Sequence, residues 1–496
     1  MRITNPSSLC SNQNHTGLIF VIVLPCILFI PSLIFQQHTP FILVAPIALL
    51  IISVVYPDVA IGILLIIAPL RTLIATEAPS FPISDVGQLY LVMVAVSVGL
   101  WVVRNKPYHK SWHHPILVAT VLYLSAIMLS SVFSQSMTAW FQEMLKWIEL
   151  LAIAFWVYLI FDAANWTWLV NGLLLAGLCN GVIGIYEFFG GSGADHLVVN
   201  GSYFRAFGTF GQPNPFGAFM GILSPIALGL SLSAFPLIQR TWQTKTLCLR
   251  KWLTLLFYIS SFIILSLALI MSWSRGAWLG FIASSAVVVV LYPRRLIHRI
   301  LLIGLGLSSS LAVFVLGLVP SSISQRLGTV FNEAISLQDV RGVQITTENY
   351  AVVERLAHWQ AAIRMVEYSP YLGTGLGNYE VVYPSFQLIN WHEPLGHAHN
   401  YYLNLLGETG LVGFSGYVMW WVVIFWQTLQ AIRHPDTLKR SLALGLLGTW
   451  VYILIHSLTD NLYVNNLFLH VGVLLGVLMI LTKQVNHFYK LKLNVE

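Results

Sequence analysis

The chain has 496 residues, 57% hydrophobic and only 9% charged, with a formal net charge of +6. A soluble globular protein carries roughly 25% charged residues, so a water-facing surface of this size cannot be covered. Composition excludes a soluble fold and predicts an all-α, polytopic membrane protein.

The first 16 residues are polar with one arginine, and Gly17–Phe35 is nearly all apolar. That run is too long for a signal-peptide core, and no small-x-small cleavage site follows it, so it reads as a retained first span. A helix needs about 20 apolar residues to cross the hydrocarbon core. Such runs lie near 17–36, 41–56, 58–75, 85–103, 115–133, 146–161, 166–188, 214–236, 252–271, 276–292, 300–319, 402–427, 441–459 and 464–482. The second and sixth are short, which predicts a bundle of 12 to 14 helices.

Basic residues come in short clusters between these runs. Arg104, Lys106 and Lys110 follow the fourth; Arg240, Lys245, Arg250 and Lys251 follow the eighth; Arg294, Arg295 and Arg299 follow the tenth; Arg433, Lys439 and Arg440 follow the twelfth. With fourteen spans all fall on one side, together with the tail lysines and both termini, and the positive-inside rule makes that side the cytoplasm. The same scatter argues against a nucleic-acid partner. Four cysteines (Cys10, Cys26, Cys179, Cys248) without a CxxC pair argue for neither a disulfide framework nor a zinc site.

The opposite side receives residues 189–213, the turn "MSWSRG", a stretch from about 320 to 400, and "TDNLYVN". Structureless loops of more than about 15 residues are uncommon unless functional or disordered, and 320–400 is too rich in aromatics for disorder. Its segment "ENYAVVERLAHWQAAIRMVEYSP" places Val352, Leu356, Trp359, Ala362 and Ile363 on one helical face. A partly helical extracytoplasmic loop subdomain is expected there.

Ionisable groups at membrane depth or its edge are expensive and usually functional. On the outer side stand Arg205, Arg275, Arg355 and His399. Singly, each has an ordinary reading: a solvated loop residue, a snorkelling arginine, one member of a helical ion pair, a hydrogen-bonded surface histidine. Their joint placement on one leaflet points to an anion, since arginine's planar donors suit phosphate oxygens, and several arginines around one cleft match a diphosphate. "GTFGQPNPFG" would let backbone approach such a ligand, and it opens a span whose N-terminal amides favour an anion. "GTGLGNY" lacks the strand-to-helix context of a nucleotide fingerprint and reads as a tight turn. HExxH, GxSxG and clustered carboxylates are absent, so no metal or cofactor is expected.

These residues resemble a family. His399-Asn400, nine residues, Gly410, two residues and Gly413 reproduce the signature of the O-antigen ligase family. "SWSRGAW" resembles its Ser-Arg-Gly element, "ERLAHWQAA…SPYLGTGLGNY" the stretch with its second arginine, and "RAFGTFGQPNPFG" an upstream element of bacterial members. The resemblance divides the chain into N-terminal spans (1–199) and a ligase-like membrane domain (200–496) that includes the 320–400 loop. It implies a bacterial inner-membrane glycosyltransferase of polysaccharide or lipopolysaccharide biosynthesis. Such an enzyme moves a glycan from a polyprenyl (undecaprenyl) diphosphate carrier to an acceptor glycan, lipid or protein hydroxyl outside the cytoplasm, with inversion. Arg275 and Arg355, joined by Arg205, would then hold the diphosphate, and His399 would act at the acceptor hydroxyl. Asn400 could orient His399 or contact sugar, or simply cap the next helix. Asp460 could orient the histidine, bind sugar or form a turn. His397, two residues away, is expected to point elsewhere. Trp391, Tyr401, Tyr402 and Tyr379 would suit sugar stacking or interface anchoring. The alternative is a bicarbonate or other anion transporter, whose sequences resemble this chain in the arginine elements but lack a clear His motif. Glu143, Glu149, Glu187 and Asp162 form no evident relay for it.

Overall fold

The computed structural model describes residues 52–77, 85–107, 112–162, 165–191, 197–199, 201–233, 249–316, 339–346 and 349–493. The span expected at 17–36, most of that at 41–56, and residues 320–338 lie outside these. Among the described residues the chain is an all-α polytopic membrane protein: nine helices are long and apolar enough to cross a membrane, joined by the shorter apolar helices Arg275–Leu291 and Leu296–Ser309. The one strand pair is a hairpin, Val198–Val199 with Tyr203–Phe204, leading into Arg205.

Local chemistry sets where the helices begin. Asp85, Ser136 and Asp436 cap theirs by accepting an amide three residues on. Pro57, Pro115 and Pro213 occupy the first turn, where a missing N–H costs nothing. The short run expected at 146–161 is the C-terminal part of a 24-residue helix, Met137–Ile160. Hydropathy misses its start because Gln142, Glu143 and Lys146 fall there, and Glu143 packs against Gly377 of the outer segment.

Helix Pro213–Leu232 is the centre of the second half, buried over almost its whole length between Leu249–Met271, Arg275–Leu291 and Thr437–His456. Close approach explains a glycine on each side of one crossing: a Cβ on Gly229 would lie 2.4 Å from Ser441 O, and one on Gly445 of the Thr437 helix 2.7 Å from the Ile226 backbone, and small residues at a helix crossing are how membrane helices gain packing. Helix Leu467–Leu493 packs on Met137–Ile160, and Tyr401–Ala431 on Pro115–Met128, around a knot of Tyr123, Trp147, Tyr417 and Trp420.

The outer segment is partly helical, as its periodicity predicts. Helices Tyr350–Tyr368 and Tyr379–Phe386 pack on each other and on the Tyr401 helix, burying Leu356, Trp359 and Ala362. "GTGLG" is the fastening. Thr374 and Gly375 donate to Gly407 and Glu408, and Leu411 and Val412 donate to Pro370 and Tyr371. These bonds replace helical ones where Gly410, at φ +61°, breaks the Tyr401 helix. A Cβ on Gly410 would sit 2.3 Å from the Tyr371 carbonyl carbon. The signature's first glycine is therefore the slot that receives the loop subdomain.

Candidate functional site at the outer end of the bundle

The stretch before the Tyr401 helix is folded by its own polar groups. Asn400 accepts the amides of Tyr402 and Leu403, so it serves as the N-cap. Asn404 accepts the Ala398 amide at 3.0 Å, and the Tyr401 amide donates to Ser457 O at 2.9 Å. That last bond joins the histidine turn to the Asp460 turn. His399 itself sits at φ +52°, a backbone region that non-glycine residues adopt at a cost.

Asp460 is 6% exposed and accepts the Asn461 amide. Its Oδ1 lies 3.4 Å from His397 Nε2 and 4.0 Å from His399 Nδ1. His397 thus points at the same carboxylate as His399, contrary to the expectation that it faces away. His399 Nδ1 is buried and has no hydrogen-bond partner among the described residues. His358 stands edge-on to His399, ring centres 5.9 Å apart, and shares a 2.9 Å hydrogen bond with the Tyr379 hydroxyl. From the membrane side comes His456, whose Nδ1–H donates to Tyr452 Oη, which in turn donates to Gly217 O. His456 and Thr459 press on Gly276, where a Cβ would fall 2.0 Å from Thr459 Oγ1. That contact seats the residue after Arg275 against the Asp460 turn.

The arginines converge on the same place. Arg205 donates through Nε to Ser272 O at 3.1 Å and through a terminal nitrogen to Asn214 Oδ1 at 3.3 Å. Burial, then the charges of Arg355 and Arg275, bring its pKa down to about 10, against the pull of Asp460. Arg275 is the first residue of its helix, and Arg355 lies one turn before His358. Burial lowers the pKa of both His397 and His399, and Arg355 adds to this, while Asp460 pulls each back. Burial alone would raise Asp460, but the neighbouring histidines and Arg355 hold it below the usual carboxylate range. With the imidazoles neutral, Arg355 is the standing cation beside this carboxylate. His397, His399 and Asp460 also offer three ligand atoms within 4.8 Å of one another, a set that could take a divalent metal. Arg205 and Arg355 both act on this one carboxylate, and Arg275 acts on Arg205, a balance of charge that favours an anion over a cation there.

Two expectations are weakened by the geometry. Much of the backbone of "RAFGTFGQPNPFG" is already committed within the protein: Phe207 and Gly208 donate to Glu187, Thr209 to Asn180, and Phe216 to Gln212 O, while Pro213 and Pro215 have no N–H. Trp391, Tyr401 and Tyr379 are buried, so they cannot stack on a sugar at the surface, and Tyr402 Oη donates to Leu454 O. Glu149 and Asp162 likewise bond locally, to Gln88 and Asn165. His358 and His456 are additions that sequence reasoning missed. The i, i+3 spacing from Arg355 could have found His358, and a histidine closing an apolar run could have flagged His456.

Residues 260–418 match the family model described as O-antigen ligase. No curated protein matches the chain. The matched stretch holds Arg275, Arg355, His399 and both signature glycines, and leaves Arg205 and Asp460 on its flanks. Over residues 260–418, therefore, the chain is similar to the O-antigen ligase family.

Proposed function

We propose that the protein transfers a glycan from a polyprenyl diphosphate carrier to an acceptor hydroxyl on the extracytoplasmic face, with both termini in the cytoplasm. The observation that carries this reading is the meeting of Arg205, Arg275 and Arg355 with the His399–Asp460 pair at one end of the bundle. A reaction that expels a diphosphate while deprotonating a hydroxyl needs both halves at once.

The chemistry is a single displacement. The acceptor oxygen bonds to the anomeric carbon as that carbon's bond to the diphosphate oxygen breaks. The electron pair leaves with the diphosphate, where Arg205, Arg275 and Arg355 offset the developing charge. The hydroxyl proton moves to His399. Its Nδ1 is turned to Asp460, so Nε2 is the nitrogen for the acceptor, and Asp460 stabilises the imidazolium as it forms, as in other carboxylate–histidine pairs. Attack opposite the leaving group inverts the anomeric carbon. A neutral, buried imidazole is the competent form of this base.

The test is glycan transfer from a polyprenyl diphosphate donor in membranes, comparing wild type with His399→Ala at equal expression. Transfer by wild type and not by the variant supports the reading. No transfer by either, together with labelled bicarbonate uptake that depends on the protein, would sink it in favour of anion transport.

A further inference from the structure

We infer that His397 is a positioning residue that holds His399 and Asp460 in their working arrangement, through a hydrogen bond at one ring nitrogen and a close polar contact with the carboxylate at the other. The inference rests on the transferase reading above and goes beyond it, because it assigns a role to a histidine that need not touch either substrate.

The tautomer follows from the geometry. The His399 amide donates to His397 Nδ1 at 3.0 Å, so Nδ1 carries a lone pair. In the neutral ring the proton is then on Nε2, which faces Asp460 Oδ1 at 3.4 Å. Both nitrogens are committed, and His397 cannot serve as the base without breaking one contact. The hydrogen bond at Nδ1 spans two residues, the pattern by which short polar side chains close a turn on their own backbone. It holds the chain just where His399 takes its left-handed conformation. The contact at Nε2 sets a polar ring 3.4 Å from the carboxylate that His399 faces at 4.0 Å, a distance too long for a hydrogen bond of its own. His397 therefore sets the aim of His399 from both ends: through the backbone that carries the ring, and through the anion beneath it. The ring itself is mostly buried and lies against His399, centres 4.4 Å apart, which adds a steric stop.

Two isosteres separate the contacts. Asparagine ends level with Nδ1 and keeps an acceptor for the His399 amide, but does not reach Asp460. Glutamine extends to the level of Nε2 and keeps a donor for Asp460, but leaves the turn open. For His397→Asn and His397→Gln, kcat of glycan transfer is expected to fall roughly ten-fold each, and for His397→Ala roughly a hundred-fold, about one decade for each lost contact in a network. KM for the lipid-linked donor should stay within about two-fold of wild type, because the arginines hold the diphosphate. In a cycle with Asp460→Asn, the losses should be less than additive, since both changes remove one contact.

Wild type and His399→Ala run alongside. If wild type transfers glycan, His399→Ala does not, and all three His397 variants keep wild-type kcat, the inference is overturned while the transferase reading stands. A rise in donor KM with kcat unchanged also overturns it, placing His397 on the substrate instead. A wild type without transferase activity overturns both. Melting temperature of each purified variant separates misfolding from mispositioning: a folded His397→Asn protein with full kcat counts against the inference.

Discussion

The arginine side of the site is assembled from three separate elements, whereas the histidine side is one short turn fixed at nearly every residue. Arg205 leans on Ser272 and Asn214, Arg275 starts a membrane helix, and Arg355 projects from the outer subdomain. Ala398, His399, Tyr401 and Tyr402 each have their amide tied down by Asn404, His397, Ser457 or Asn400. The difference fits the roles proposed for the two sides. Coulomb attraction falls only as the inverse of distance, so a cation displaced by an ångström still acts on a diphosphate. Proton transfer needs hydrogen-bond reach, and an ångström there is most of the effect.

The largest expected effect breaks the histidine side outright. His399→Ala should lower kcat at least ~100-fold, the range a positioned base supplies. Next come the arginines: Arg275→Ala and Arg355→Ala should each cost about 10²- to 10³-fold in kcat, and lysine at either position should recover part of it, because charge persists though the planar fork does not. Lysine variants as inactive as the alanine ones would show that the arginine side also works by fixed geometry, and the contrast would fall.

A smaller effect sharpens the comparison by asking how the two sides talk. Burial, His397, Arg355 and His358 together hold His399 below the ordinary histidine value, against Asp460. A lowered pKa keeps the neutral base present as pH falls, so the acid limb of kcat/KM should lie below about 6.5. Arg355→Gln removes one of the charges that oppose protonation and should move that limb upward. A wild-type limb at or above 6.5 would show that Asp460 outweighs the arginine. Protonation has a stability counterpart. His358, pulled down to about 4 chiefly by burial, is protonated in the unfolded chain before the folded one. Its contribution is therefore present above about pH 6.5 and is lost as pH falls toward 4.

The sequence was legible where a single physical rule acts along the chain. Hydropathy found most helix ends to within a few residues; the exceptions are Met137, where outer-segment packing tolerates Glu143 inside the helix, and the last helix, which runs past the expected end at 482 to Leu493. Rarity of charge in an apolar chain singled out Arg205, Arg275, Arg355 and His399, and the folded chain brings all four together. What stayed illegible depends on contacts between distant segments. Nothing local says that Glu187 takes the amides of Phe207 and Gly208, which removes those two donors from any ligand. Nothing local says that His399 turns left-handed, or that the Asp460 turn comes to lie between the two histidines.

The smallest expected effect tests whether the histidine turn is restrained for geometry alone. Asn400 Oδ1 accepts two amides at 3.0 and 3.1 Å and lies directly after His399. Asn400→Ala should destabilise the protein by about 1 kcal/mol, the usual cost of a lost cap, visible as a lower melting temperature. Serine and aspartate are capping residues too, and either should restore most of the stability. If catalysis follows stability across the three variants, Asn400 acts only by starting the helix that carries the turn. A serine variant that melts like wild type yet transfers slowly would instead mean that the amide group meets a substrate, and the histidine side would then be a binding surface as well as a fixed base.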